Sequence, residues 1–348
     1  MRIVIIAGKA TSLLNVAKDI AHIAQKRGHV PRIIRYIDAP STLDNIADGV
    51  ILIYPTSPIF CAEYMLLYRE MVVHYQKPIV YYTMIEGRPR RVHIKPWMIR
   101  DVEFIAVSKY VREKLAEVGL RVKDIVYHGL LKETIEEAEK LTPIAKKHLR
   151  KMHKNKIIFG VLSHTHPRKG LDKLASAVKI LSEKRKDFIV HLVSSKKAEK
   201  IVTGIPNIYL DTVYGSRSRA EILAFLGAID YLIVPSYCEG FCLPIVEANA
   251  MKTPAIHCVY PPLTEVSDLE NNIVFEYERK EFVNTGEGIE YEFHIYDEKE
   301  LANAMDEAID LIKNNKEEYE EKSIKVSEYA SKFDAEKLYP KLLKMIGA

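Results

Sequence analysis

The sequence predicts an α/β protein built from two doubly wound parallel sheets. Short apolar runs typical of buried strands alternate with helical segments up to residue 128, the pattern breaks between residues 141 and 156, and the alternation then restarts. Such alternation indicates parallel βαβ units, which bind ligands at the carboxyl ends of their strands. The 348 residues, 48% of them hydrophobic, suffice for two cores.

Six strands and three helices are predicted in the first half. The strands are expected at residues 2–7, 30–37, 50–54, 79–82, 104–107 and 125–127. The helices are expected at residues 13–26, 62–74 and 109–117. Thr11 or Ser12 can cap the first helix, and Ser108 can cap the third. Gly28 and Gly119 can end these two helices.

The second half is predicted to hold five strands, an extra hairpin and a helical end. The strands are expected at residues 157–162, 188–193, 207–210, 231–234 and 255–257. The helices are expected at residues 171–184, from Ser216 or Ser218 to 225, and at 245–251, 301–313, 316–332 and 335–345. Residues 276–296 are polar and aromatic around a glycine-containing turn, which is typical of a hairpin.

Residues 146–154 are predicted to link two domains, at 1–145 and 155–333. Six lysines and arginines crowd into residues 146–156, where apolar residues are few. This composition favours a solvated connector. A helix lying on a membrane surface, with Ile144, Leu149 and Met152 on its apolar side, is the alternative.

Composition excludes several classes of protein. The net charge of +4 is too small to indicate a nucleic-acid partner, and it fits an anionic substrate equally well. Four cysteines are too few for a disulfide framework, and Cys238 and Cys242 lack the further ligands of a zinc site, so no metal is expected.

The start of the chain and its apolar runs predict a cytoplasmic protein. No apolar run reaches the length of a membrane span, and a strand follows the first residue directly, which argues against a signal peptide. Glutamine occurs only as Gln25 and Gln76, whereas Lys and Glu abound, which suggests a heat-adapted source.

The chain is organised around residues 238–247, CEGFCLPIVE. They follow an apolar strand, turn at Gly240 and enter a helix in which Pro244 suits the first position. The N–H groups free at a helix start form an anion site, here near residues 241–243. Glu239 and Glu247 flank this site, and a carboxylate accepts hydrogen bonds from sugar hydroxyls. A sugar attached to a phosphate fits such a site.

A second candidate site is the segment RKGLD at residues 168–172, which also follows a strand and starts a helix. The guanidinium of Arg168, the ammonium of Lys169 and the helix start converge there, which suits a diphosphate. A solvated loop is the alternative. His164 and His166, in the loop just before, favour hydrogen bonding within the loop over metal binding, because no third ligand is in view.

Residues 239–248, EGFCLPIVEA, resemble the E-x7-E signature of family-4 retaining glycosyltransferases, whose GT-B fold has two Rossmann-like domains facing across a cleft. Looser matches run along most of the chain, at residues 28–29 (GH), 107–111 (VSKYV), 128–129 (HG), 168–172 (RKGLD) and 252–254 (KTP). The resemblance implies an acceptor-side first domain and a donor-binding second domain, with a final helix, 334–348, that crosses back to the first.

The resemblance also implies roles for the residues of the two segments. Lys169, helped by Arg168, would neutralise the donor diphosphate, Glu239 would hold hydroxyls of the transferred sugar, and Glu247 would hold the ribose. The turn residue Gly240 and the backbone N–H groups would contact the sugar and the distal phosphate. These N–H groups belong to Phe241, Cys242 and Leu243.

The chain departs from the family pattern at several positions. Ser163 stands where an arginine is usual, and Gly8 is what remains of a glycine-rich turn. Cys242 stands where many members have glycine. No histidine follows the first-domain strands near the sugar, so that Glu86 is the nearest polar candidate.

Together with the two candidate segments, the resemblance implies a metal-independent enzyme that moves a hexose from a UDP- or GDP-sugar to an acceptor, with retention of anomeric configuration and without a further cofactor. The acceptor would be a saccharide, a lipid phosphate or a protein. The basic stretch at residues 88–95 favours an anionic or lipid-phosphate acceptor, with peripheral contact at the inner membrane face, or else a solvated loop. A nucleotide-sugar epimerase or phosphorylase and a non-catalytic nucleotide-sugar sensor are the alternatives.

Overall fold

The computed structural model describes residues 1–8, 10–36, 39–213 and 215–348. The first half contains β1 (Arg2–Ala7), α1 (Thr11–Lys26), β2 (Val30–Ile34), α2 (Pro40–Ile46), β3 (Gly49–Ile53), α3 (Ala62–Val73), β4 (Ile79–Thr83), β5 (Gly87–Pro89), α4 (Pro96–Asp101), β6 (Glu103–Ala106), α5 (Lys109–Ala116), β7 (Arg121–Ile125) and α6 (Lys132–Met152).

The second half continues the same alternation. It contains β8 (Ile157–Leu162), α7 (Leu171–Lys184), β9 (Phe188–Val193), α8 (Glu199–Val202), β10 (Ile208–Asp211), α9 (Arg219–Leu226), β11 (Tyr231–Val234), α10 (Leu243–Ala250), β12 (Ala255–Cys258), α11 (Leu263–Val266), β13 (Ile273–Phe275), β14 (Arg279–Asn284), β15 (Ile289–Ile295), α12 (Glu298–Asn314), α13 (Lys316–Ala330), α14 (Ala335–Leu338) and α15 (Pro340–Met345).

Two six-stranded parallel sheets confirm the predicted fold class. The strand order is β2-β1-β3-β4-β6-β7 in the first and β10-β9-β8-β11-β12-β13 in the second. We call the first sheet with its helices the first domain, and the second sheet with its helices the second domain. The strand order changes direction between β1 and β3 in the first sheet, and between β8 and β11 in the second. Ligands of such sheets bind in the crevice at the point where the order changes direction.

Most predicted elements of the first domain are confirmed, with three corrections. The helix α1 begins at Thr11 with Ala10 as its N-cap and no side-chain cap, so neither Thr11 nor Ser12 caps it. The strand β2 ends at Ile34, and residue 37 of the predicted strand lies outside the described residues. The last strand runs through Arg121–Ile125 instead of 125–127; it is a half-exposed edge strand, so its sequence has no apolar run.

The predicted connector is largely helical. The helix α6 extends to Met152, and Ala138 on one of its sides packs with Leu223 and Ala224 of α9. Ile144 of the same helix stays exposed. The guanidinium of Arg150 fixes the end of the helix to the second domain, because its Nη2 lies 2.5 Å from Asp230 Oδ1. None of the helices in the described part of the chain combines the length and the apolarity needed to cross a bilayer.

The predicted hairpin is confirmed as β14 and β15, but it has a partner that the sequence did not indicate. The strand β15 pairs antiparallel with β5, which belongs to the first domain. Gly87 makes this pairing possible, because a Cβ atom there would lie 2.0 Å from the carbonyl oxygen of Glu290. The resulting three-stranded sheet ties the two domains together on one side.

The end of the chain returns to the first domain. The backbone of Asp334 pairs with Leu130, and the hydroxyl of Tyr339 accepts a hydrogen bond from the backbone N–H of Gly129 at 2.9 Å. Ile346 packs against Gly49 at the start of β3. The segment 334–348 therefore contacts the first sheet, after two long helices that belong to the second domain. It forms two short helices, α14 and α15, instead of the single predicted helix, because Pro340 starts a new one.

Candidate active site

The turn between β11 and α10 forms the centre of the site. The helix begins at Leu243, two residues earlier than predicted, and Pro244 is its second residue. Cys242 is the N-cap in a left-handed conformation (φ 76°), which glycine adopts with less strain and which explains why glycine is common there in the resembling family. The first backbone N–H of α10 is therefore that of Leu243, directly after Gly240, Phe241 and Cys242.

Glu239 of this turn is buried and surrounded by donors. Lys169 Nζ lies 2.5 Å from its Oε1, Ser236 Oγ donates to the same oxygen at 2.7 Å, and Arg168 Nη1 lies 3.3 Å from its Oε2. Burial opposes ionisation, but Lys169 and Arg168 outweigh it and lower the pKa of Glu239 to about 2. The carboxylate is therefore charged at neutral pH and able to accept hydrogen bonds from sugar hydroxyls.

The topology of the second sheet brings Lys169 to Glu239. The strands β8 and β11 are neighbours, so the loops that follow them meet at one sheet edge. Gly170 (φ 63°) allows the closest approach, since a Cβ atom there would lie 1.9 Å from the carbonyl oxygen of Pro235. The N–H of Tyr237 then donates to the carbonyl of Arg168 at 2.8 Å. The predicted meeting of the two segments is thus observed.

The first domain covers this site from the opposite side. Arg168 Nη2 lies 2.9 Å from Oε1 of Glu86, and Ser108 Oγ donates to the carbonyl of Gly240 at 2.9 Å. The ring of Phe241 meets the buried ring of His128 edge to face, at 4.8 Å between centroids. Glu86, Gly240 and Phe241 therefore all lie where the two domains touch.

Glu247 is held by a different cation. It lies one helical turn into α10, where Arg219 Nη2 is 3.2 Å from its Oε1. Arg219 also contacts Asp19 of α1 in the first domain. Burial is the main reason why the pKa of Asp19 rises to about 6, although Arg219 opposes the rise. No signal in the sequence indicated Arg219 or Asp19, because their contact depends on how the domains meet.

Ser163 lies beside Lys169 and Glu239, whereas Gly8 lies in the first domain. Ser163 lines a cavity of about 10 Å³ together with Lys169, Glu239 and Cys242, and its hydroxyl donates to the carbonyl of His164 at 2.9 Å. Gly8 lies at the end of β1, against Leu13 and Tyr54. Lys9, which follows it in the predicted turn, lies outside the described residues.

The two loop histidines hydrogen-bond within the loop, as predicted. His164 Nδ1 accepts from the N–H of His166 at 3.1 Å, and His166 Nδ1 accepts from the N–H of Arg168 at 3.2 Å. Burial, with Lys169 and Arg168 nearby, lowers the pKa of His164 to about 4. In the described part of the chain, no three His, Cys, Asp or Glu side chains are grouped so as to hold a metal ion.

The basic stretch at residues 88–95 divides between two settings. Arg88 is engaged in the interdomain sheet, with its Nε 2.8 Å from Glu290 Oε2 and its guanidinium 4.1 Å from the ring of Phe282. Arg91 and Val92 belong to a short 3-10 turn, in which Val92 is exposed. Arg88 therefore serves the contact between the domains.

The chain is similar to a known protein family and to a protein named as a glycosyltransferase. The profile of the family described as Glycosyl transferases group 1 matches residues 143–332. The chain is 29% identical over 350 residues to the protein named uncharacterized glycosyltransferase 335 of Sulfolobus islandicus rod-shaped virus 1, covering 99% of this chain and 100% of that protein.

Solved structures of glycosyltransferases share the fold. A glycosyltransferase from Rickettsia africae superposes with a TM-score of 0.72 at 15% identity, over 99% of this chain and 97% of the other. HepE of Anabaena, solved in complex with UDP-glucose, superposes with a TM-score of 0.70 at 15% identity, over 100% of this chain and 99% of the other. The predicted GT-B arrangement of two Rossmann-like domains is confirmed.

Proposed function

This chain belongs to the family Glycosyl transferases group 1, and from that premise we propose that it moves a hexose from a nucleoside diphosphate sugar to an acceptor, with retention and without a metal. One observation supports this above the others. Lys169 and Arg168 converge on Glu239 beside the start of α10. Cations, helix N–H groups and a buried carboxylate are the groups that bind a diphosphate next to a sugar.

Lys169 and Arg168 stabilise the leaving group in this proposal. Negative charge develops on the diphosphate as its bond to the anomeric carbon breaks, and fixed cations in a site shielded from water stabilise that charge. The N–H groups at the start of α10 add to this effect. Arg168 takes the role of the arginine that is absent at Ser163.

Glu239 orients the sugar. Its charged carboxylate accepts hydrogen bonds from ring hydroxyls, because its low pKa keeps it ionised at neutral pH. The acceptor oxygen forms its bond to the anomeric carbon on the face from which the diphosphate leaves, and the acceptor's proton passes to a leaving phosphate oxygen. Configuration is therefore retained, as in the family-4 pattern.

The donor is proposed to be a UDP- or GDP-sugar. Glu247 holds the ribose hydroxyls, one helical turn beyond the phosphate-binding helix start. UDP-glucose is the first donor to test, since HepE was solved with it.

The acceptor binds against the first domain, where the carboxylate of Glu86 pairs with Arg168. It is a saccharide, a lipid phosphate or a protein, and residues 90–95 suit an anionic one. We place the enzyme in the cytoplasm, with peripheral contact at the inner membrane face for a lipid-linked acceptor.

A donor screen tests the proposal. The full chain is mixed with UDP- and GDP-sugars, and binding is measured by the shift in melting temperature, which a ligand of the native state raises. Each binder is then incubated with candidate acceptors in EDTA, and released nucleotide and the anomeric configuration of the product are measured. Release with a retained product supports the proposal. Binding without release identifies a sensor, and altered sugar without acceptor identifies an epimerase.

A further inference from the structure

Arg219 lies between two carboxylates that belong to different domains. It is the first residue of α9, and its Nε and Nη2 lie 3.3 and 3.2 Å from Oε1 of Glu247. Its Nη1 contacts Oδ2 of Asp19 on α1. The side chains of all three residues are almost entirely shielded from solvent. Burying charged groups costs desolvation free energy, which is offset only when each charge has a well-oriented partner of opposite sign.

The arrangement leaves one oxygen of Glu247 available. Both guanidinium contacts reach Oε1, and no other described residue donates a hydrogen bond to Oε2. Since a carboxylate oxygen accepts about two hydrogen bonds, Oε2 can receive the hydroxyls of a bound ligand. Arg219 thereby fixes the plane of the carboxylate and leaves its second oxygen for binding.

The charges of the cluster indicate the chemistry of that ligand. Two carboxylates face one guanidinium, so the cluster carries an excess of negative charge in a place shielded from water. A phosphate would add to the excess, whereas a diol supplies two O–H donors and no charge. Vicinal hydroxyls, as on a ribose, therefore fit this position.

Resting on the proposed function, in which Glu247 holds the ribose, we propose that Arg219 is the positioning residue of the ribose subsite. It orients Glu247 toward the ribose hydroxyls, and its contact with Asp19 makes this orientation depend on the first domain. Because Asp19 and Glu247 belong to different domains, ribose recognition and domain contact are energetically linked.

The test measures recognition of the 2′-hydroxyl by calorimetry on the full chain. UDP and GDP are compared with 2′-deoxy-UDP and 2′-deoxy-GDP, and the ratio of dissociation constants, deoxy over ribo, is the readout. We expect a ratio of about 10 to 100 for the wild type, the range for a hydrogen bond to a charged group. A merely structural defect weakens both nucleotides equally and leaves the ratio unchanged.

Arg219→Gln is expected to bring the ratio below about 3, as is Glu247→Gln, and the double variant should lose no more. Arg219→Lys, which can contact one carboxylate, should give an intermediate ratio. Asp19→Asn should lower the ratio in part. Arg185→Gln is the matched control, since Arg185 pairs with Asp306 within the second domain (2.6 Å), and it should keep the wild-type ratio.

The outcomes separate the two proposals. A wild type that discriminates, with Arg219→Gln retaining its full ratio, overturns the positioning role and leaves the proposed function standing. A wild type that binds none of the four nucleotides overturns both. Where circular dichroism shows Arg219→Gln unfolded, Arg219→Lys decides, and a wild-type ratio overturns the role. An unchanged ratio in Asp19→Asn overturns the part that depends on the first domain.

Discussion

The guanidinium of Arg168 is paired across the domain boundary with Glu86, whose Oε1 lies 2.9 Å from Nη2. Because Arg168 also contacts Glu239, one cation bridges carboxylates of both domains, and Lys169 adds a second cation. The two cations and the two carboxylates balance in charge. In the proposed function the donor diphosphate would compete with Glu86 for Arg168, so donor binding and the contact between the domains would share one residue.

Replacing Lys169 by alanine should abolish most turnover without unfolding the protein. We expect kcat to fall about 100- to 1000-fold, because one charge-stabilising group at the leaving diphosphate is lost. Steady-state kinetics with the identified donor measure the effect, and circular dichroism monitors the fold. Lys173→Ala is the control. Lys173 lies in the first turn of α7, where its Nζ is 2.5 Å from Oε2 of Glu298, and its replacement should keep wild-type turnover. Equal activity of wild type and Lys169→Ala would refute the role.

Glu239→Gln should impair sugar transfer more than nucleotide binding. The amide keeps the size of the side chain but removes the charge that accepts sugar hydroxyls, so we expect kcat/KM to fall at least about tenfold more than the affinity for the free nucleoside diphosphate. Glu247→Gln provides the comparison, because its main loss should be in nucleotide affinity. Calorimetry and transfer kinetics on both variants give the two losses, and equal losses in Glu239→Gln would contradict the assignment.

The sequence predicted those parts of the site that are local in the chain. Glu239 and Glu247 belong to one strand–turn–helix unit, and Lys169 to the neighbouring unit of the same sheet, so strand order alone brings them together. The contact between Arg219 and Asp19 joins residues 200 positions apart. It depends on how two domains meet, which no periodicity encodes.

The same reason explains the elements that were missed. The strand β5 has only three residues and pairs across the domain boundary with β15, so its sequence shows no strand pattern. The edge strand β7 has polar residues on its open face and therefore no apolar run. Buried central strands such as β8 were predicted to the residue, because burial on both faces demands continuous apolar sequence.

His128 should make the protein less stable in acid. It is fully buried against Phe241, and burial, with Arg219 as a further cause, lowers its pKa to about 3. A folded-state pKa below the unfolded value of 6.5 means that the folded state binds fewer protons, so its contribution to stability is present above pH 6.5 and is lost as the pH falls toward 3. The expected loss is several kcal/mol.

Urea unfolding of wild type and His128→Asn between pH 4 and pH 8 measures this contribution. Asparagine keeps a polar group that can hydrogen-bond to the hydroxyl of Tyr82, which lies 2.9 Å from His128 Nδ1 and itself donates to the carbonyl of Val126 at 2.8 Å. The difference in unfolding free energy between the two proteins should be constant above about pH 6.5 and should shift against the wild type below it. A difference that does not vary with pH would show that His128 is not held neutral by burial.

Gly87→Ala should loosen the sheet that ties the domains together. A Cβ atom there would lie 2.0 Å from the carbonyl oxygen of Glu290 and 2.7 Å from Cα of Tyr291, both backbone atoms that cannot rotate away. The strand β5 must then move from β15, at an expected cost of about 1 to 3 kcal/mol. Urea unfolding gives the cost, and hydrogen exchange of residues 86–90 and 289–292 should accelerate, because β5 pairs with residues 289–291 and the carbonyl of Glu86 accepts from the N–H of Glu292.

Gly286→Ala in the turn of the same hairpin is the graded control. Nothing lies within 4 Å of a Cβ atom at Gly286, but its φ of +84° strains any side chain, so we expect a loss of about 1 kcal/mol. Exchange at residues 86–90 should stay as in the wild type, since the pairing of β5 with β15 is untouched. If Gly87→Ala exchanges no faster than Gly286→Ala at these positions, the three-stranded sheet does not hold the domains together in solution.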